Sequence, residues 1–135
     1  MDKSLRNQVQ IRANHRCEYC HLPQYAVDAT FHIDHIIAQQ HIDGDLIDPN
    51  GLAFACDRCN LYKGTNLSSV DPDTLEIVPL FNPRRDHWPE HFCFQGSTIF
   101  GLSPTGRATV RLLNMNARHR LEIRQLLSLE GVELS

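Results

Sequence analysis

The sequence predicts an α+β fold. Three observations carry this: two Cys-x-x-Cys pairs, Cys17/Cys20 and Cys56/Cys59, enclose two β-rich runs; helix-patterned segments flank that stretch; and further short β-rich pieces occupy the C-terminal half. With 135 residues, 41% of them hydrophobic, the chain can bury one modest core. It is therefore read as one domain over 1–135, with a core at about 12–66 and a C-terminal extension at about 70–135. No apolar run approaches the roughly 18 residues of a membrane span, and the start MDKSLRNQVQIR is too polar for a secretory signal. A cytoplasmic protein without membrane contact is expected.

Residues 4–14 read as a short amphipathic helix, with Leu5, Val9 and Ile11 to Ala13 giving an imperfect helical spacing. Cys17-Glu18-Tyr19-Cys20 then forms a knuckle that His21-Leu22-Pro23 ends, because proline breaks a helix. Residues 30–37 and 52–55 read as strands, separated by a polar loop over 38–51 that holds Gly44, Pro49 and Gly51. From Asp57 to Gly64 the chain makes two helical turns, opened by an acid and closed by glycine. Beyond it, 75–80 reads as a strand and 81–89 as an irregular linker. Residues 92–94, 98–102 and 108–112 read as strand pieces, with Ser103-Pro104-Thr105-Gly106 as a turn between the last two. A helix near 116–128 closes the chain.

Four of the five cysteines form the two pairs, and in a reducing compartment this pattern suits a metal better than disulfides. Four thiolates at this spacing are what a tetrahedral structural Zn²⁺ takes, with a redox dithiol as the alternative. Such a closed shell leaves no open position, so the zinc is scaffold. Cys93 is left over and expected as a small buried apolar residue.

The formal charge is −3 and unevenly spread. Residues 31–57 hold Asp34, Asp43, Asp45, Asp48 and Asp57 against no Lys or Arg, whereas seven Arg fall between Arg84 and Arg124. A metal-collecting region and a phosphate-facing region are expected to be separate.

His32-Ile33-Asp34-His35-Ile36-Ile37, then Asn50, then Cys56-Asp57-Arg58-Cys59-Asn60-Leu61-Tyr62-Lys63-Gly64 resembles the HNH endonuclease family. The Asp-His pair, the Asn before the second strand and Cys-x-x-Cys-Asn-x-x-Lys-Gly occur together and in order, which is far more specific than any one piece. The resemblance covers Cys17 to about Gly64 and reaches weakly into 78–84, 106–109 and 113–116. It implies the family's ββα-metal core and metal-dependent hydrolysis of phosphodiester bonds in DNA.

The residues carry a consistent chemistry. His35 is the expected general base, because an imidazole, ordinarily titrating at about pH 6.5, can take a proton from water at neutral pH. Asp34 and Asn60 offer oxygens that suit Mg²⁺ or Mn²⁺ and leave room for water and phosphate. Asn50 matches the middle Asn of the motif, whose implied task is to orient the base, although Pro49-Asn50-Gly51 is equally a good turn. The last motif position is Asn60 rather than His; some family branches use Asn there, and weaker metal binding would follow. His32 and His41 read as bystanders.

The resemblance also implies DNA as partner, with Arg58, Lys63, Arg84 and Arg85 as leading candidates for phosphate contact. Arg107, Arg111, Arg118, Arg120 and Arg124 are further cations, each equally readable as solvated surface. Lys63 can instead be a solvated lysine at the helix C-terminus. Net negative charge implies weak, strongly salt-dependent binding, with specificity supplied by a partner protein or a DNA structure. The rival readings are a non-catalytic zinc-stabilised nucleic-acid-binding module of the same fold and a small partner-binding effector.

Overall fold

The computed structural model describes residues 2–42 and 48–135. Asp43, Gly44 and Asp45 of the acidic loop lie outside them. Helix α1 (Lys3–Arg12) is opened by Asp2, whose carboxylate accepts from the Ser4 N–H at 2.6 Å, a cap worth about 1 kcal/mol. It buries Val9, and Arg12 at its end donates to the carbonyls of Pro49 and Leu52 at 2.8 and 2.5 Å.

Strand β1 (His32–His35) pairs antiparallel with β2 (Leu52–Ala55), in a register that sets His35 opposite Leu52 and Asp34 opposite Ala53. Every residue of β2 is buried, as its all-apolar Leu-Ala-Phe-Ala requires. Its free edge is closed by Glu18, which donates its N–H to Phe54 O at 2.8 Å and accepts the Phe54 N–H on its carboxylate at 2.7 Å. Helix α2 (Asp57–Lys63) follows. Cys56 Sγ accepts from the Cys59 N–H at its start, and Gly64 closes it at φ 52°. The order β1, β2, α2 is thus the ββα core, and the whole chain is α+β.

The second half adds two more antiparallel ribbons. Strand β3 (Ser68–Val70) pairs with β4 (Ile77–Pro79), and β5 (Phe92–Gln95) with β6 (Thr98–Gly101). Between them the linker contains one helical turn, α3 (Trp88–His91), and the chain ends in α4 (Pro104–Leu112) and α5 (Arg118–Leu129). Ile77 in β4 and Phe92 in β5 fall inside the runs read as strands, but β3 went unread because Ser-Ser-Val is short and polar.

One expectation is overturned: 108–112 is not a strand, and 103–106 is not a turn between strands. Ser103 accepts the Gly106 N–H at 2.9 Å as the N-cap of α4, and Pro104 occupies the first helical position. Ser-Pro serves a helix start as well as a turn. Glycine then sets the packing of this helix. A Cβ on Gly106 would overlap the His91 carbonyl, and one on Gly101 would overlap the backbone of Arg107, so α4 touches β6 backbone to backbone.

The core runs from Val9, Tyr19 and Phe31 through Phe54 to Phe81 and Phe92, joining both halves of the chain. Trp88 ties the extension to the first knuckle by donating Nε1–H to Tyr19 O at 2.8 Å and stacking on His21 at 3.9 Å. Cys93, expected as enclosed, is only half-buried on β5 because alternate residues of that ribbon face outward. Among the described residues no helix is long and apolar enough to cross a membrane.

Candidate active site and metal centre

The four paired cysteines converge. Their sulfurs all lie within 4.8 Å of one another and are buried, with Cys20 Sγ and Cys56 Sγ 3.8 Å apart. A regular tetrahedron with Zn–S bonds of about 2.3 Å has edges of about 3.8 Å, so the donor set and its spacing fit Zn²⁺. Each knuckle bends its backbone over a sulfur: Cys20 N–H points at Cys17 Sγ and Cys59 N–H at Cys56 Sγ, at 3.5 and 3.4 Å. Thiol donors from Cys17, Cys20 and Cys59 pull the Cys56 thiol well below its usual range. Burial pushes Cys17 up.

The motif residues lie at the end of β1, in the turn before β2 and on α2. Asp34 is 4% exposed and faces α2. Its Oδ2 accepts from the Tyr19 hydroxyl at 2.6 Å, and Lys63 Nζ lies 3.2 Å from both carboxylate oxygens. Burial raises the Asp34 carboxyl above its ordinary pKa, while Lys63 and then Tyr19 pull the other way. Tyr19 is itself pushed up, by burial and then by the Asp34 charge, so it remains a donor.

His35 ends β1 and is half-buried. The two-residue repeat of a strand turns it to the face opposite Asp34. Successive Cα atoms are only about 3.8 Å apart, however, so one ligand crossing the strand end can reach both side chains. Asn60 is half-buried one turn before Lys63 on α2, and Asn50 is exposed in the 3-10 turn Pro49–Gly51, where its N–H bonds Asp48 at 2.9 Å. Among the described residues, no protein hydrogen bond reaches the side chains of His35, Asn50 or Asn60. The orienting contact expected from Asn50 to the imidazole is therefore not made here. Asp34 and Asn60 offer the oxygen chemistry a hard divalent ion takes, but an ammonium already holds the carboxylate.

Lys63 is neither of the two things expected of it. It is 2% exposed, and beyond Asp34 it donates to the His35 carbonyl at 3.2 Å. It stitches α2 to β1 and does not face solvent. Arg84 is ion-paired to Glu18, while Arg85 is exposed on the rim of a 180 Å³ cleft beside Lys63, Asn66 and Asn82. Arg58 is half-buried beside Tyr25 and His119. Arg107 makes a two-pronged bond to Asp71 at 2.9 and 2.8 Å, and Arg120 and Arg124 are buried, so these three are not free for phosphate. A cleft of 590 Å³ lies between Arg12, Arg16, His21 and Trp88, and none of Asp34, His35, Asn50 or Asn60 lines it. Tyr19 is the functional residue that motif reading missed. Its sequence signal was an aromatic ring with a polar tip inside the first knuckle.

The comparisons with known proteins agree with this geometry. The chain is 25% identical over 109 residues to the Septu protein PtuB of Bacillus thuringiensis, an alignment covering 81% of this chain. The chain spans 40% of the length of that relative. No solved structure matches the chain. The family profile for HNH endonucleases matches residues 17–66, the stretch that holds both knuckles, the β1–β2 ribbon and α2. Over residues 17–66 this chain is therefore similar to the HNH endonuclease family.

Proposed function

We propose that this protein is a metal-dependent DNA endonuclease, with His35 as general base and Asp34 and Asn60 as ligands of Mg²⁺ or Mn²⁺. The observation that carries the reading is the Asp34–His35 dipeptide at the end of β1, inside the matched segment, with the carboxylate fixed against α2 and the imidazole bonded to none of the other described residues. His35 takes a proton from the attacking water, whose oxygen bonds to phosphorus as the bond from phosphorus to the 3′ oxygen breaks. A divalent ion, when bound, neutralises charge on the phosphate and on the departing oxygen. Tyr19 and Lys63 keep the Asp34 carboxylate in one orientation, and Arg85 on the rim of the neighbouring cleft offers a phosphate contact. DNA is the substrate class, and the net charge of −3 favours a partner protein that supplies affinity or specificity.

The test is plasmid nicking with Mg²⁺ or Mn²⁺. Activity is expected to vanish with EDTA and to fall about 10²–10⁴-fold in His35→Ala, the usual contribution of a general base, with zinc content unchanged. Equal nicking by wild type and His35→Ala would reject the reading. One observation favours a second reading, a non-catalytic nucleic-acid-binding module: both Asp34 oxygens already have partners and the carboxylate is closed to solvent. Salt-sensitive DNA binding without metal-dependent nicking would select it.

A further inference from the structure

Helix α5 presents an unusual pair to the four-cysteine centre. Arg120 and Arg124 are 3% and 0% exposed, and their four-residue spacing puts both on the inner face of the helix. Arg120 donates to Asp57 at 2.7 Å, the residue that follows Cys56 and opens α2. Arg124 donates to the carbonyls of Ser97 and Met115 at 2.6 and 2.8 Å and to the Asn116 side chain at 3.1 Å. Among the described residues, each guanidinium still keeps one buried N–H without a partner, Arg120 Nε and Arg124 Nη1. Two buried cations that their hydrogen bonds do not fully satisfy need a counter-charge. Asp57 offsets one of the two charges; the anionic groups that act on both guanidiniums are the cysteine thiolates, and four of them around Zn²⁺ carry a net charge of about −2.

We propose that Arg120 and Arg124 are the resident counter-charges of the four-cysteine centre, so that the C-terminal helix, outside the family segment, sets how tightly the metal is held. The electrostatics agree. Burial opposes the Arg120 charge, yet the thiolates of Cys56 and Cys20, with Asp57, raise its pKa overall. Arg124 is lowered by burial, while Cys20 and Cys59 support its charge. With the metal and thiolates in place, the centre and Asp57 together more than offset the two arginines. With neutral thiols, Asp57 alone opposes two buried positive charges. Metal loading and docking of α5 are therefore linked, and the extension acts as the outer shell of the zinc site.

The experiment compares zinc affinity, by competition with a chromophoric chelator, in the full-length wild type and in Arg120→Met, Arg120→Lys, Arg124→Met and Arg124→Lys. Methionine keeps an apolar stem of similar length without the charge; lysine keeps the charge. Each methionine variant is expected to bind zinc about 10–100-fold more weakly, the usual loss on removing an outer-shell partner, and each lysine variant to recover most of it. The thiolate-to-cobalt absorption band of the Co²⁺-substituted protein should shift in the methionine variants alone. If Arg124→Met does not fold, Arg120→Met decides, because that guanidinium makes only one hydrogen bond, to the partly exposed Asp57. Zinc affinity within about threefold of wild type in folded Arg120→Met, or equal affinity in the Met and Lys variants, would overturn the proposal and leave the arginines as packing residues.

Discussion

Replacing Lys63 with methionine separates the ion pair from the packing of its stem. The ammonium sits 3.2 Å from each Asp34 oxygen and 3.2 Å from the His35 carbonyl, in a site where the lysine is 2% exposed and the aspartate 4%. Removing one partner of such a buried pair costs about 3–5 kcal/mol, because the remaining charge loses compensation. The Tyr19 hydroxyl still bonds Asp34 at 2.6 Å, which places the expected loss near the lower end, about 3 kcal/mol or on the order of 10 °C in Tm. The loss must also depend on pH. Burial already raises the Asp34 carboxyl, and without Lys63 the opposing pull is gone, so its folded-state pKa rises further. A group raised in the folded state contributes most below its unfolded value of about 3.9 and loses that contribution as pH climbs through the folded value. The deficit of Lys63→Met relative to wild type should therefore widen from pH 5 to pH 8, read by urea melts of the zinc-loaded proteins. A deficit that stays constant across that range would mean the stem, and not the charge, is what matters. A deficit below about 1 kcal/mol would mean that the pair is not closed in solution.

Two other substitutions probe how the extension is built. Gly106→Ala drives a methyl into the His91 carbonyl, so α4 must lift from the end of α3; a loss of about 1–3 kcal/mol is expected, and a Tm equal to wild type would contradict the backbone-to-backbone packing. Asp71→Asn removes a carboxyl that Arg107 first, and then its own loop through Asp73 and Thr74, hold well below the usual carboxylate range. A depressed carboxyl stabilises above its unfolded pKa of about 3.9 and loses that effect as pH falls through the folded value. The Tm gap between wild type and Asp71→Asn should thus be largest near neutrality and close in strong acid, and a gap that grew toward acid would refute the assignment.

The first half of the chain was legible because its signals are local and redundant. Paired cysteines, an all-apolar second strand and a helix with an acid at one end and glycine at the other all point to the same local architecture. The second half failed where local chemistry has two readings. Ser103-Pro104 begins a helix or a turn, and only the approach of α4 to Gly101 decides; Ser68–Val70 becomes a strand only because Ile77–Pro79 lies beside it. The site shows the same limit. Residue types named the candidates Asp34, His35 and Asn60, but nothing in the string says that Tyr19 caps the carboxylate, that Lys63 turns inward, or that Arg120 and Arg124 are core residues. Those facts are tertiary. They depend on where a long side chain finds its counter-charge.

The placement of Lys63 bears directly on metal use. Two cations cannot share one closed carboxylate without mutual repulsion, so a divalent ion that takes Asp34 as ligand must displace the ammonium or loosen its hold. If Asp34 is the metal ligand proposed above, the resident lysine compensates the carboxylate in the metal-free protein, avoiding an unpaired buried charge at the cost of metal affinity equal to what the pair is worth. The substitution of Asn60 for the motif's His works in the same direction, since an amide oxygen is a weaker ligand than imidazole for Mn²⁺. It follows that Lys63→Met, though less stable, should bind Mn²⁺ more tightly than wild type in a titration followed by the electron paramagnetic resonance of the free ion. Weaker Mn²⁺ binding by a folded Lys63→Met would instead mean that the lysine orients Asp34 toward the metal, and the competition argument would fail.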